Sequence, residues 1–256
     1  MLNINRNIGL ILLLVFGLVS CNNDPKVEPD MAKEDVFLTL DFVSAFNNAS
    51  IDYNQNEFIT SSKDTIIPQK FKFIFSNLRF VKADNTEISF PDRYGYISYD
   101  EGNTTMILPE VPEGSYKAIK FYLGLDSAIN VSDPSIWPAK HPLNPLYNSM
   151  HWGWNTGYIF ITHEGQFLNN GVKDNYTFHI ATLAFRTEIE IPLTYIHNNG
   201  NLDIIQIKAD LAKYFDGVHA YSLKTEIPAS HSNIAQAPYI NKLRANIQQM
   251  FSAKQN

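Results

Sequence analysis

Two tryptophans, a histidine and a methionine lie within five residues near the middle of the chain, as Met150, His151, Trp152 and Trp154. Imidazole and thioether groups are soft ligands that suit copper better than magnesium or calcium. In an extended strand Met150, Trp152 and Trp154 point to one face and His151 to the other. Because Trp and Met also fill protein cores, the pattern predicts either a copper-type site or an aromatic core patch with a satisfied histidine.

Histidines elsewhere in the chain are weaker candidates. His163 and Glu164 are neighbours on a predicted strand, so they point to opposite faces and cannot bind one ion together. His197 precedes Asn198-Asn199-Gly200, which is turn chemistry, and is therefore expected in solvent. His231 is expected at most to help cap the last helix.

No motif of an enzyme accompanies these residues. The chain has no Gly-x-Ser-x-Gly, no His-Glu-x-x-His and no phosphate-binding loop. One cysteine allows no internal disulfide and no cysteine-rich zinc or iron–sulfur site. The 20 basic and 26 acidic residues give a formal net charge of −6, which disfavours nucleic acid as a partner. The composition therefore favours a binding protein over an enzyme.

The N-terminus resembles that of a bacterial lipoprotein. An apolar run over 8–19 follows Arg6 and is about 12 residues long, whereas a transmembrane helix needs roughly 20. The run ends in Leu18-Val19-Ser20-Cys21, which resembles a lipobox. This resemblance implies a signal peptide over 1–20, a lipid on Cys21 and a polar tether over 21–33. The protein is then expected in the cell envelope, lipid-anchored to a membrane and either periplasmic or surface-exposed.

The segments that must position these side chains alternate apolar and polar residues, with turn residues between them. Such a series of short strands predicts an all-β domain, a β-sandwich, over 34–256. The predicted strands cover 36–42, 70–81, 86–90, 94–99, 104–108, 116–125, 157–164, 175–181, 187–191 and 201–209. Apolar residues at helical spacing predict one C-terminal α-helix over 237–252.

A stretch rich in proline, residues 131–150, interrupts this series of strands. Its four prolines predict an irregular segment, because proline removes a backbone donor. Trp137 and Tyr147 are expected to be exposed there, where they could stack on sugar rings. A carbohydrate- or protein-binding surface lipoprotein without a metal is therefore the alternative function.

Several stretches resemble the MbnP-like domain family. They are Pro142-Leu143-Asn144 with the later Met150, Trp152, Trp154, Gly157, Tyr158 and Phe160; the strand 116–126 after a Pro-x-Gly turn; the strand 71–81; and Phe178-His179-Ile180. The resemblance implies a β-sandwich lipoprotein associated with copper handling. It also implies copper ligation by histidines and, in some members, by a tryptophan that a dihaem partner of the cytochrome c peroxidase type oxidises to kynurenine.

Carried onto this chain, the resemblance makes His179 the first candidate copper ligand, because it lies in the matching strand. His151 is the second candidate, and Met150 adds a thioether beside it. Trp152 or Trp154 is the candidate for oxidation.

Overall fold

The computed structural model describes residues 37–109, 111–153, 157–198 and 203–255, and the predicted signal peptide, Cys21, the tether and Trp154 lie outside these ranges. The strands are β1 (Leu38–Phe46), β2 (Ala49–Ser50), β3 (Phe58–Ile59), β4 (Thr65–Lys82), β5 (Glu87–Phe90), β6 (Gly95–Ser98), β7 (Thr105–Leu108), β8 (Gly114–Leu123), β9 (Ile159–Asn169), β10 (Val172–Ala181), β11 (Thr187–His197), β12 (Asp203–Asp210), β13 (Ala229–Ser230) and β14 (Phe251–Gln255). The α-helices are α1 (Ser127–Asn130), α2 (Pro145–Asn148), α3 (Ala212–Asp216) and α4 (Ala237–Ile247). Across the same ranges, no helix combines the length and the apolar character that crossing a membrane requires.

Two sheets pack face to face. The smaller sheet has the strand order β14-β12-β1-β2, with β7 also paired to β1. The larger sheet has the order β11-β8-β4-β9-β10-β13, with β3, β5 and β6 also paired to β4. Phe42 of β1 and Phe251 of β14 meet Phe73 of β4 at ring-centroid distances of 5.8 and 5.7 Å, so the main core lies between the sheets. The predicted β-sandwich is confirmed.

The central strand β4 is covered on both faces. Phe73 points into the sandwich, whereas Lys72, the residue before it, points to the outer face. On that outer face Lys72 lines a cavity together with Met150, which belongs to the proline-rich stretch 131–150. Leu143 of the same stretch is also buried. The proline-dense segment therefore forms a cover over the outer face of the larger sheet, which explains why β4 is apolar in consecutive positions.

This cover contains more regular structure than its prolines predict. A 3₁₀-helix spans Pro134–Ile136 and α2 spans Pro145–Asn148. Proline is tolerated at the start of each helix, because the first N–H of a helix has no intrahelical partner. The side chains of Asp133 and Asn144 cap the two starts, accepting from backbone N–H groups at 2.9 Å each.

The predicted C-terminal helix is confirmed but is shorter than its apolar spacing suggests. Helix α4 ends at Ile247, and the chain turns before Phe251 begins β14. Strand β14 pairs antiparallel with β12, and the Phe251 ring packs edge-on against Phe73 and Phe121. Sheet pairing and core burial therefore override the local helical spacing after residue 247.

The expectation that His197 lies in solvent is wrong. Strand β11 continues to His197, which pairs with Gly114 of β8 and is only 2% exposed. Tyr195 Oη lies 2.7 Å from His197 Nδ1 and donates to Asp203 Oδ2 at 2.7 Å. Since Asp203 belongs to β12, this buried network links the two sheets.

Candidate metal centre

Two imidazoles face each other on the outer side of the larger sheet. His179 lies on β10, and His231 directly follows β13, which pairs in parallel with β10. Their Nδ1 atoms are 3.0 Å apart. Ser232 holds the two segments together, because its hydroxyl donates to the His179 carbonyl at 2.9 Å and accepts from Ala181 N at 2.7 Å. The pairing of β13 with β10 and the two hydrogen bonds of the Ser232 hydroxyl therefore keep the two rings close.

A carboxylate fixes the other side of the His179 ring. His179 lies opposite Thr162 of β9, so Glu164, two residues on, shares its face of the sheet as a diagonal neighbour. His179 Nε2 lies 2.8 Å from Glu164 Oε1, and Lys70 Nζ donates to Glu164 Oε2 at 2.9 Å. Because a carboxylate only accepts hydrogen bonds, Nε2 carries the proton. In neutral His179 the lone pair is therefore on Nδ1, the atom that faces His231.

Hydrogen bonds and a nearby cation favour the ionised form of Glu164, and partial burial favours the neutral form of His231. The hydrogen bond from His179, and then Lys70, lower the pKa of Glu164 to about 2, although partial burial opposes them. Partial burial, and then His179, lower the pKa of His231 below its usual range. At neutral pH His231 is therefore in the form that can bind a metal ion.

A cavity of about 100 Å³ opens beside His179. Its walls are Lys70, Lys72, Ser149, Met150, Ile159, Thr162, Glu164 and His179. Met150 is buried at 1% exposure, and its thioether is a soft donor. The Lys72 ammonium is engaged by Asp100 and Glu101.

The imidazole pair is the basis of this centre. Within the described ranges, no group of three or more His, Cys, Asp or Glu side chains is arranged to hold a metal ion. Glu164 contacts the far nitrogen of His179, so it orients the ring as an outer-shell carboxylate does. Two nitrogens that each bind one ion at roughly 2.0 Å lie about 3 Å apart when the N–metal–N angle is about 95°. The observed 3.0 Å separation is the length of a hydrogen bond between the two Nδ1 atoms, and it is also compatible with two ligands of one ion.

The structure brings some of the sequence-predicted residues together and separates others. His179 and Met150 line the same cavity. Residues 150–152 do not form a strand, and one bridge joins His151 to Tyr158. The His151 ring lies edge-on to the Tyr158 ring at 4.8 Å, and partial burial lowers its pKa. Trp152 lines a different cavity, of about 210 Å³, which shares no wall residue with the first.

Sequence reasoning missed His231 and the role of Glu164. His231 is 52 residues from His179 in the chain, and no local pattern connects the two. The contact between Glu164 and His179 could have been predicted, because the tight turn between Asn169 and Val172 sets the register of the β9–β10 hairpin. The prediction that His163 and Glu164 face opposite sides is confirmed, since His163 is fully buried while Glu164 lines the cavity.

Comparison with known proteins is consistent with this fold. A family model described as MbnP matches residues 35–236. Among solved structures, MbnP from Methylosinus trichosporium is similar, with a TM-score of 0.57 and 14% identity over 86% of this chain and 98% of that chain. At that identity the likeness shows a shared fold. No curated protein matches the chain.

Proposed function

Since the chain belongs to the MbnP family, we propose that it is a copper-binding protein whose ion is held by the Nδ1 atoms of His179 and His231. The observation that supports this proposal most strongly is their 3.0 Å separation, with Glu164 holding the far nitrogen of His179. An orienting carboxylate on the second ring nitrogen is the usual companion of a metal-binding histidine.

The donor chemistry favours copper among the metals that imidazole binds. Imidazole suits zinc, copper, iron and nickel alike, whereas a thioether favours copper. Met150 lines the cavity beside His179, but His231 is not among the walls of that cavity, so the thioether is a soft group near the imidazole pair and not a third ligand of it. Structural zinc sites use four protein ligands, commonly cysteine and histidine, and the described ranges hold no such cluster.

The proposal assigns the chain a role in holding copper and none in catalysis. Glu164, the carboxylate in the cavity, is kept ionised by His179 and Lys70, so it is not poised as a general acid. The proposal also includes the lipid on Cys21, which would keep the copper site in the cell envelope, either in the periplasm or at the surface.

A dihaem partner of the cytochrome c peroxidase type belongs to the same proposal. Its substrate would be Trp152 or Trp154. Trp152 is half-buried and borders an open cavity, so part of its indole is accessible. Oxidation to kynurenine would use peroxide or dioxygen activated by the haem partner; it cleaves the indole C2–C3 bond and hydrolysis releases C2 as formate, which leaves an aryl amine and a ketone. The residue thereby loses one carbon atom and gains one oxygen atom.

Protein purified from its native host should contain copper and show the mass change of one carbon-to-oxygen exchange. Peptide mapping should place that change at Trp152 or Trp154. Recombinant protein from a host without the partner is the control, and it should bind added copper with a raised thermal midpoint but unmodified tryptophans. Native protein without copper, together with no thermal shift on adding copper, would overturn the proposal.

The variant Glu164→Gln should bind copper about 10- to 100-fold more weakly. The carboxylate of Glu164 keeps the proton of His179 on Nε2 through a charged hydrogen bond, and a neutral amide accepts that hydrogen bond more weakly. Competition titration against a chelator of known affinity measures the change. Glu190→Gln is the matched control, since its carboxylate is 59% exposed on β11 and the substitution changes the net charge equally. Equal copper affinities of the two variants would argue against the positioning role of Glu164.

A further inference from the structure

A third cavity, of about 140 Å³, lies where the proline-dense cover meets β6. Its walls are Tyr94, Gly95, Tyr96, Ile97, Asn103, Thr105, Met106, Lys140, Pro142 and Tyr147. It shares no wall residue with the cavity beside His179. Aromatic and aliphatic walls with a few polar groups at hand are typical of small-molecule sites.

The exposed aromatic ring of this cavity is held in place by a buried one. Tyr147 is 38% exposed, and its ring lies edge-on to the Tyr96 ring, with centroids 5.6 Å apart at 73°. Tyr96 is itself buried, and its hydroxyl donates to Glu101 Oε2 at 2.7 Å. A fixed, partly exposed tyrosine offers contact area to a ligand with little loss of side-chain entropy.

Trp137 does not contribute the exposed platform that the sequence suggests. It is half-buried, and its ring stacks on His141 at a centroid distance of 4.3 Å and 7°. Tyr94 lies edge-on to both rings, at 5.7 and 6.0 Å. The Trp137–His141 stack therefore braces Tyr94, which is the ring that lines the cavity.

Lys140 supplies a cation at the cavity wall. It is exposed, and within the described ranges no carboxylate forms an ion pair with it. Its φ of +67° is a left-handed conformation that non-glycine residues seldom adopt.

We propose that this cavity binds one sugar ring that carries a carboxylate, a uronic acid. A closed cavity of roughly 150 Å³ holds a benzene ring, so a uronic acid, which is larger, would seat one face in this open cavity and leave the rest in solvent. The C–H face of the sugar packs on Tyr147 and Tyr94, its hydroxyl edge faces Asn103 and Thr105, and its carboxylate pairs with Lys140. Asn103 Nδ2 already donates to the Tyr96 carbonyl at 2.7 Å, so the Asn103 Oδ1 atom and the exposed Thr105 hydroxyl are the groups that a sugar hydroxyl would meet. A flat aromatic acid has no hydroxyl to donate to them.

Isothermal titration of the full chain with glucuronate, glucose and benzoate tests this proposal. Glucuronate should bind saturably and about three- to fivefold more tightly than glucose, because an exposed ion pair adds a modest amount. Lys140→Ala should abolish that preference. Tyr147→Ala should weaken glucuronate binding about tenfold by removing the stacking ring.

Leu146→Ala is the matched control, because Leu146 is 97% exposed beside Tyr147 and does not line the cavity. It should bind glucuronate like the unchanged protein. No saturable sugar binding, tighter binding of benzoate than of glucuronate, or no effect of Tyr147→Ala would each overturn the proposal. Copper titration of the same variants should be unaffected, so the sugar site and the copper site can fail separately.

Discussion

Replacing His231 by alanine should lower the copper affinity roughly a hundredfold, equivalent to about 2.7 kcal/mol of binding free energy. The reason is that in the proposed copper site the two Nδ1 atoms, 3.0 Å apart, would hold one ion together, and a single remaining imidazole would lose that chelation. Competition titration of the full chain against a chelator of known copper affinity measures the loss.

This variant should fold normally, because His231 is exposed and its replacement leaves no cavity in the core. His219→Ala is the matched control. His219 is also exposed, and its contacts with the Asn246 side chain use its backbone N and O atoms, which the substitution keeps. Unchanged copper affinity in the His231 variant would show that the ion, if bound, is held elsewhere.

The stability of the protein should fall steeply in mild acid because of His163. This ring is fully buried among aromatic side chains, with centroids 5.2 Å from Phe71, 5.1 Å from Tyr176 and 4.4 Å from Tyr214. Burial lowers its pKa to about 3, although the charge of Glu164 acts in the opposite direction. In the unfolded chain the pKa of histidine is about 6.5.

Between pH 6.5 and pH 3 the unfolded chain therefore binds a proton that the folded chain does not bind. Above pH 6.5 the ring is neutral in both states and costs no stability, whereas the folded state is progressively destabilised relative to the unfolded chain as the pH falls toward 3. For one proton the free energy of unfolding should decrease by about 1.4 kcal/mol per pH unit, or about 2.7 kcal/mol at pH 4.5.

His163→Phe should remove this contribution, because phenylalanine has a similar shape and takes up no proton. Urea unfolding of both proteins at pH 7, 6, 5 and 4.5 should show the variant gaining about 1.4 kcal/mol per pH unit relative to the original below pH 6.5. A constant offset is also expected, since Tyr176 Oη loses its contact with His163 Nε2 at 3.2 Å. Parallel curves at all pH values would contradict the assignment.

The β-sandwich could be predicted because its signals are local. A strand alternates side chains with a period of two, and turn residues mark its ends, so each segment reports its own state. The predicted strand over 70–81 lies within β4, and His163 and Glu164 face opposite sides as their adjacency requires. The same local signal overestimated the length of α4, because the apolar spacing beyond Ile247 does not show that Phe251 pairs in a sheet.

The sequence by itself determined which residue types are present for the proposed copper site and which strand carries His179. Only the tertiary structure decided that His179 contacts His231, that Met150 lines the cavity beside His179 and that His197 is buried. These contacts depend on pairings between distant segments, β10 with β13 and β11 with β8, whose energies come from the packing of the whole sandwich. A residue's sequence neighbours specify the side of the strand it faces, but they do not specify the strand beside it.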